Sequence, residues 1–286
     1  MATLRDIRRR IGSIRNTKQI TRAMKVVAAS RLRKAQERIF NARPYANQMM
    51  ALLQSVAARL EQQEHPLLAR RPERKSLLVL VTADRGLCGA FNANLVRAAQ
   101  GYLAEHGEDK VSLVTVGRKG RDFFRRRHVR IISEHVNIFR HLEFLNAQTL
   151  ARELIELYTS ESVDSIDFLY NEFKSVMSQN VKVERYLPID PISAPEGEFL
   201  VDYIYEQPPA DILRTLLPRY VEVQVFRALL ESQAAEYAAR MTAMDSATNN
   251  ADDLMETLRL RLNRLRQAAI TKEIIEVVSG AQALEY

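Results

Sequence analysis

Between residues 219 and 279 the chain runs for 61 residues without a glycine or a proline. Few folds accept such a stretch. As one α-helix it would extend about 90 Å at 1.5 Å per residue, wider than a single globular core. Within it Leu258, Leu262, Leu265 and Ala269 step by 4, 3 and 4, and Ile270, Ile274, Val277, Ala281 and Leu284 step by 4, 3, 4 and 3. This is coiled-coil spacing, with a drift between the two stripes that marks an imperfect coil.

The N-terminus carries a second long helix. Residues 13–43 lack Gly and Pro. Leu4, Ile7, Ile11 and Ile14 step by 3, 4 and 3, and Ile20, Met24 and Val27 by 4 and 3, a helical stripe. Ala23, Ala28, Ala29 and Ala35 allow a partner helix to come close. Pro44 is expected to bend or interrupt the run, which resumes at residues 49–60 and stops at His65-Pro66.

The middle of the chain reads differently. Residues 76–82, 111–116 and 129–133 are short strand-type runs, 165–173 and 182–188 alternate as strands, and 198–205 adds another. Helical stretches fall near 94–103 and 147–158. Strand and helix in alternation predict an α/β layer with a mainly parallel sheet. The expected fold is a central Rossmann-like α/β domain, residues 75–206. A long antiparallel two-helix coiled coil joins it, formed by the N-terminal helix (1–60) and the C-terminal helix (211–286). Linkers are expected at 65–74 and 207–209.

A length mismatch follows. Starting side by side from one domain, the N-terminal helix offers roughly 55 residues and the C-terminal one roughly 75, an overshoot of about 20 residues or 30 Å. The overshoot carries Ile270, Ile274, Ile275, Val277, Val278 and Leu284, which surround much of the helix. Burying each such side chain is worth roughly 1.5–3 kcal/mol, so the end calls for an apolar socket on another protein. A tip that folds back, or a homo-oligomer, is the other way to cover it.

The formal net charge is +7. Residues 1–43 hold 13 Lys/Arg against Asp6 and Glu37, so the arm is strongly basic and the remainder mildly acidic. Nucleic acid, an acidic protein surface and anionic lipid all suit such an arm, as does a simple solvated face. With 7% aromatic residues, few of them among the basic ones, single-strand stacking is a weak fit. No apolar run reaches the ~18–20 residues of a membrane span. The basic, periodic N-terminus reads as mature structure in a reducing compartment.

Catalytic signals are weak. Gly86-Leu-Cys-Gly89 and Gly117-Arg-Lys-Gly120 look like phosphate loops but match neither dinucleotide nor P-loop spacing, and tight turns explain them better. The five histidines lack metal spacing, and the single cysteine, Cys88, has no local base signature. Asp245, Asp252, Asp253 and Glu256 read as a solvated helix face. No catalytic residue, cofactor or metal is expected.

Three segments resemble one family. They are Ile14-Arg-Asn-Thr-Lys-Gln-Ile-Thr-Arg-Ala-Met-Lys-Val-Val-Ala28, Asp84-Arg-Gly-Leu-Cys-Gly-Ala-Phe-Asn92 and Arg266-Gln-Ala-Ala-Ile-Thr-Lys-Glu-Ile-Ile-Glu-Val-Val-Ser-Gly-Ala281. In that order they are similar to the γ subunit of F-type ATP synthase, over essentially the whole chain. The resemblance implies a central-stalk rotor that binds no nucleotide. Its turning would couple proton flow to ATP synthesis or hydrolysis at the β subunits. Implied partners are the hexamer of α and β subunits, the ε subunit and the c-ring. The implied location is peripheral, on the cytoplasmic face of a bacterial membrane. By the same resemblance Met24, Lys25, Arg266 and Gln267 are rotor–stator contacts. Ile270, Ile274, Ile275, Val277 and Val278 form the tip in the hexamer's apolar collar. Tyr203, Tyr205 and Glu206 are the foot on the c-ring and ε. A single cysteine does not fit the thiol-switched chloroplast form. The reading from another class is a basic coiled-coil nucleic-acid binder.

Overall fold

The computed structural model of the chain describes residues 3–57, 65–190 and 208–284. It divides into two compact units, Met1–Ala28 with Met241–Tyr286, and Ala29–Arg240. The two long helices, α1 (Leu4–Ala57) and α5 (Pro209–Leu284), contribute to both.

In the second unit five strands form one sheet: β1 (Ser76–Val81), β2 (Val111–Val116), β3 (Ile131–His135), β4 (Ser165–Phe173) and β5 (Gln179–Leu187). Their order is β3-β2-β1-β4-β5, parallel except for β5, which returns antiparallel beside β4. Parallel neighbours need crossovers, and three helices supply them. These are α2 (Phe91–His106), α3 (Arg118–Phe124) and α4 (Phe144–Thr159). β1 is central, so every residue of its run Ser-Leu-Leu-Val-Leu-Val is buried. The expected strands 76–82, 111–116 and 165–173 fall where the sequence places them, the first ending one residue earlier. Helix α3 was not anticipated: four of its seven residues are charged, and only Gly120 and Phe124 are buried. The expected strand 198–205 lies outside the described residues.

The core of this unit sits on one sheet face. Leu78 and Leu80 of β1 and Leu113 of β2 pack with Phe91, Leu95, Ala99 and Leu103 of α2, with Phe124, and with Ala235 of α5. α5 is thereby part of the α/β core and not an appendage to it. Between the sheet and α2 a polar knot is also closed. Arg185 of β5 donates to both oxygens of Asp167 (2.8 and 3.1 Å), and Tyr102 donates to Asp167 Oδ2 at 2.5 Å. Burial and that carboxylate push the Tyr102 phenol well above its usual value.

Pro44 does not interrupt α1, one of the two outcomes expected of it. An internal proline costs roughly 3 kcal/mol through a lost hydrogen bond and a ring clash. Ile39 on one side of it and Met49, Leu53 and Val56 on the other are all buried. At roughly 1.5–3 kcal/mol each, those side chains outweigh the cost. Pro218, in the third turn of α5, is accommodated in the same way, next to buried Leu213, Leu217 and Val221.

Candidate functional site

The glycine loops are the first place to look for chemistry, because a nucleotide would sit where strand ends meet helix starts. Here the polar groups of those loops are already used. Asp84 Oδ1 accepts from the backbone N–H groups of Arg118 (3.1 Å) and Asn137 (2.9 Å). Asn92 Oδ1 accepts from Ala83 N–H, and Arg240 donates to Gly86 O at 2.6 Å. Gly117, at φ +91°, lies so close to Thr82 O that a Cβ would overlap it. Gly120 donates its N–H to Thr82 Oγ1 at 2.8 Å. These glycines let two loops touch. Cys88 is buried, and burial pushes its thiol up, away from the nucleophilic form. Among the described residues no His/Cys/Asp/Glu group of three is placed to hold a metal ion.

The first unit holds a different kind of site. There α1 and α5 run antiparallel, joined across the seam by Lys18–Asp252 (2.5 Å), Thr21–Thr248 (2.8 Å) and Lys25–Asp245 (2.5 Å). As α1 advances three and then four residues, α5 retreats four and then three. This fixes the register. The positions of α1 turned into the seam are Ile7, Ile11, Ile14, Lys18, Thr21, Lys25 and Ala28, all buried or half-buried. They alternate steps of 4 and 3, an unbroken heptad pattern.

That pattern corrects two expectations. Asp245 and Asp252 are more than a solvated face: each side chain stays 47% exposed, but its carboxylate pairs with a lysine of α1. Asp253 and Glu256 of that cluster are exposed. The stripe Ile20, Met24 and Val27 is not the seam. Met24 is half-buried, while Ile20 and Val27 are 60% and 51% exposed. Apolar character alone pointed to the wrong face, because the true seam has polar residues at its centre. Ile20 and Val27, seven residues apart on one face, form an open apolar strip beside the paired seam. The heptad alternation through Lys18, Thr21 and Lys25 was the signal that could have identified it as open.

Extending the register fourteen residues back from Lys18 reaches Leu4, where α1 begins, and fourteen on from Asp252 reaches Arg266. α5 continues to Leu284, about 27 Å further. Burial ends at the same place. Leu258, Leu262, Leu265 and Ala269 are half-buried, and every residue from Ile270 to Gly280 is exposed. Five large apolar side chains lie on that bare end: Ile270, Ile274, Ile275, Val277 and Val278, at 47–71% exposure. Arg266 and Gln267 stand at the junction, both exposed. Of the side chains singled out from the sequence, then, Lys25 is tied to Asp245, Met24 is partly covered, and Arg266, Gln267 and the tip are free to meet a partner. Tyr203, Tyr205 and Glu206 lie outside the described residues.

An arrangement of this kind defines a shaft. It has a locked two-helix register and an apolar end that its own sister helix does not reach. The ATP synthase family model matches residues 3–284. The ATP synthase gamma chain of Solibacter usitatus is 51% identical over 289 residues, covering 100% of both chains. That of Geobacter sp. is 48% identical, also over the full length of both. Among solved structures, a chain of the Tetrahymena thermophila mitochondrial ATP synthase central stalk and c-ring aligns with TM-score 0.61 and 28% identity, over 80% of this chain and 99% of its own. A chain from the Euglena gracilis mitochondrial enzyme aligns with TM-score 0.70 over 98% and 94%, and at 21% identity it bears on the fold alone. The chain belongs to the ATP synthase gamma-chain family. It is a central-stalk rotor subunit, not a catalytic one, and the nucleic-acid reading of the basic arm draws no support from these matches.

Proposed function

We propose that this chain turns inside a hexamer of α and β subunits and couples ion flow through a membrane c-ring to ATP synthesis or hydrolysis. The observation that carries this reading is the bare end of α5, with five exposed apolar side chains beyond Leu4, where its sister helix begins. Covering each would contribute roughly 1.5–3 kcal/mol, enough to seat the tip firmly in an apolar collar. Ile270, Ile274, Ile275, Val277 and Val278 are assigned to that collar.

The mechanism rests on asymmetry. A shaft with an open apolar strip on one face, Ile20 with Val27, cannot touch three identical β subunits alike. At each angle it favours a different conformation in each of them, through differential contact energy. In this reading Met24 and Lys25 lie at the β-subunit lever, Lys25 with its charge already balanced by Asp245, and Arg266 and Gln267 grip a β-subunit loop. Torque passes through residues 1–60 and 211–286. The domain 75–206 carries the foot, where Tyr203, Tyr205 and Glu206 would meet the c-ring and ε. The complex would act as a proton translocase with this subunit peripheral on the cytoplasmic face of the membrane. Among the described residues no helix is long and apolar enough to cross it.

Co-expression with α and β subunits tests the proposal. The expected result is a stable complex whose ATP hydrolysis exceeds that of α and β alone. A soluble monomer with no affinity for either would reject it.

A further inference from the structure

Parallel strands give the second unit two unlike edges. β1, β2, β3 and β4 all begin on one edge and end on the other. Near the first edge, where β5 ends beside the start of β4, Tyr186 Oη donates to Gln224 O of α5. At the second edge Arg240 of α5 donates to Gly86 O, in the loop that follows β1. From Gln224 to Arg240 α5 therefore climbs about 24 Å across the unit, and it leaves where the strands end.

The edge where the strands begin carries Arg125, Arg126, Arg127 and Arg130, in the turn between α3 and β3. Arg130 O accepts from Leu113 N–H at 2.8 Å, which ties the turn to β2, and Phe124 roots its other end in the core. All four arginines are exposed. Arg127 is fixed: it donates to Phe123 O at 3.2 Å, with its guanidinium 3.6 Å from the centre of the Phe123 ring. Among the described residues Arg125, Arg126 and Arg130 have no side-chain hydrogen bond or ion pair. Asp122, the one acid between residues 118 and 133, is taken by Arg121 at 2.6 Å. Glu108 and Asp109, exposed ahead of β2, form no ion pair with the four. Elsewhere in the unit Arg70, Arg152 and Arg219 each face a carboxylate. Four like charges within six residues repel one another, and no contact of the fold offsets that.

We propose that this edge is a lipid-binding face, which takes the phosphate headgroups of an anionic bilayer. A guanidinium matches phosphate oxygens two at a time, and clusters of this size hold basic segments to acidic lipid. A bilayer fits better than an acidic protein surface. A protein presents its carboxylates at fixed points, and three of the four arginines are held to no fixed point. Phosphates of a fluid leaflet move to meet them. The inference rests on the rotor reading for one point, that the edge opposite the exit of α5 faces the membrane.

The test is flotation of the full chain, in the complex with which it purifies, on vesicles without a membrane sector. One set is equal parts phosphatidylglycerol and phosphatidylcholine, the other phosphatidylcholine alone. The expected result is binding to the first set only, weakening as salt rises. Arg125→Glu with Arg126→Glu should lower it at least tenfold, while Arg85→Glu with Arg140→Glu, exposed at the other edge, should lower it less than twofold. Equal binding to both sets, binding that survives the first reversal, or an equal loss in the second would overturn the proposal. So would displacement by inorganic phosphate matched to the headgroup concentration, which would make the site one for a small free anion. A reversed variant that still floats but no longer assembles would assign the arginines to an acidic protein face and overturn it too. Assembly with α and β subunits, read on the same samples, tests the rotor reading separately: protein that assembles and hydrolyses ATP yet ignores the lipid charge rejects the lipid face alone.

Discussion

Thr21 and Thr248 face each other in the seam of the two long helices with their hydroxyl oxygens 2.8 Å apart, both side chains buried. Each also has a backbone carbonyl of its own helix within reach, Lys18 O at 3.0 Å and Met244 O at 2.7 Å. The pair sits between two lysine–aspartate bridges, and together the three contacts hold the register that leaves the end of α5 bare.

The threonine pair should show strong coupling. Thr21→Val or Thr248→Val alone removes the hydrogen bond between the helices, while the remaining hydroxyl still reaches a carbonyl of its own helix, and should cost about 0.5–1.5 kcal/mol in urea unfolding. The double variant should lose less than the sum, since the one bond between the helices is lost only once. Additive losses would mean the two side chains do not interact.

Gly117 should be irreplaceable. Its φ of +91° and the nearness of Thr82 O make Gly117→Ala both strained and overpacked, a loss of about 2–5 kcal/mol. Gly12, inside α1 with nothing within 4 Å of an added Cβ, is the contrast. Gly12→Ala should stabilise by about 0.5–1 kcal/mol. Chemical denaturation of the two variants measures both.

Cys88 should be nearly inert in the native protein. Burial is the largest cause raising its thiol, with Glu236 adding to it, so the thiolate fraction at pH 8 lies below that of a free cysteine. Alkylation by iodoacetamide at pH 8 should be at least tenfold slower than in the urea-unfolded chain, and should accelerate as pH rises. Equal rates would contradict the buried placement.

Arg266 and Gln267 are exposed, so replacing both with Ala should change stability by no more than about 0.5 kcal/mol. If they grip a neighbouring subunit, ATP synthesis in reconstituted vesicles should fall several-fold. Unchanged synthesis would remove them from the contact surface.

The parts that could be read from sequence are those whose physics is one-dimensional. β2 is a mainly apolar run and β4 an alternating one, and both strands begin and end where those patterns do. The junction at Arg266 follows from helix length alone. The seam was harder, because Lys18, Thr21 and Lys25 occupy core-facing positions and their partners Asp252, Thr248 and Asp245 are more than 200 residues away. A polar seam is invisible to a search for apolar stripes. The continuity of α1 through Pro44 likewise depends on tertiary burial on both sides of the proline, which no local propensity contains.

The central claim is that the end of α5 is received by another subunit, and thiol labelling addresses it most directly. In a Cys88→Ser background, Ile274→Cys places a reporter on a side chain 57% exposed in the chain by itself. Its maleimide reaction rate is to be compared in the isolated chain and in the assembled ATP synthase. Labelling at least tenfold slower in the assembly is the predicted result, and equal rates in the two would show that nothing encloses the tip.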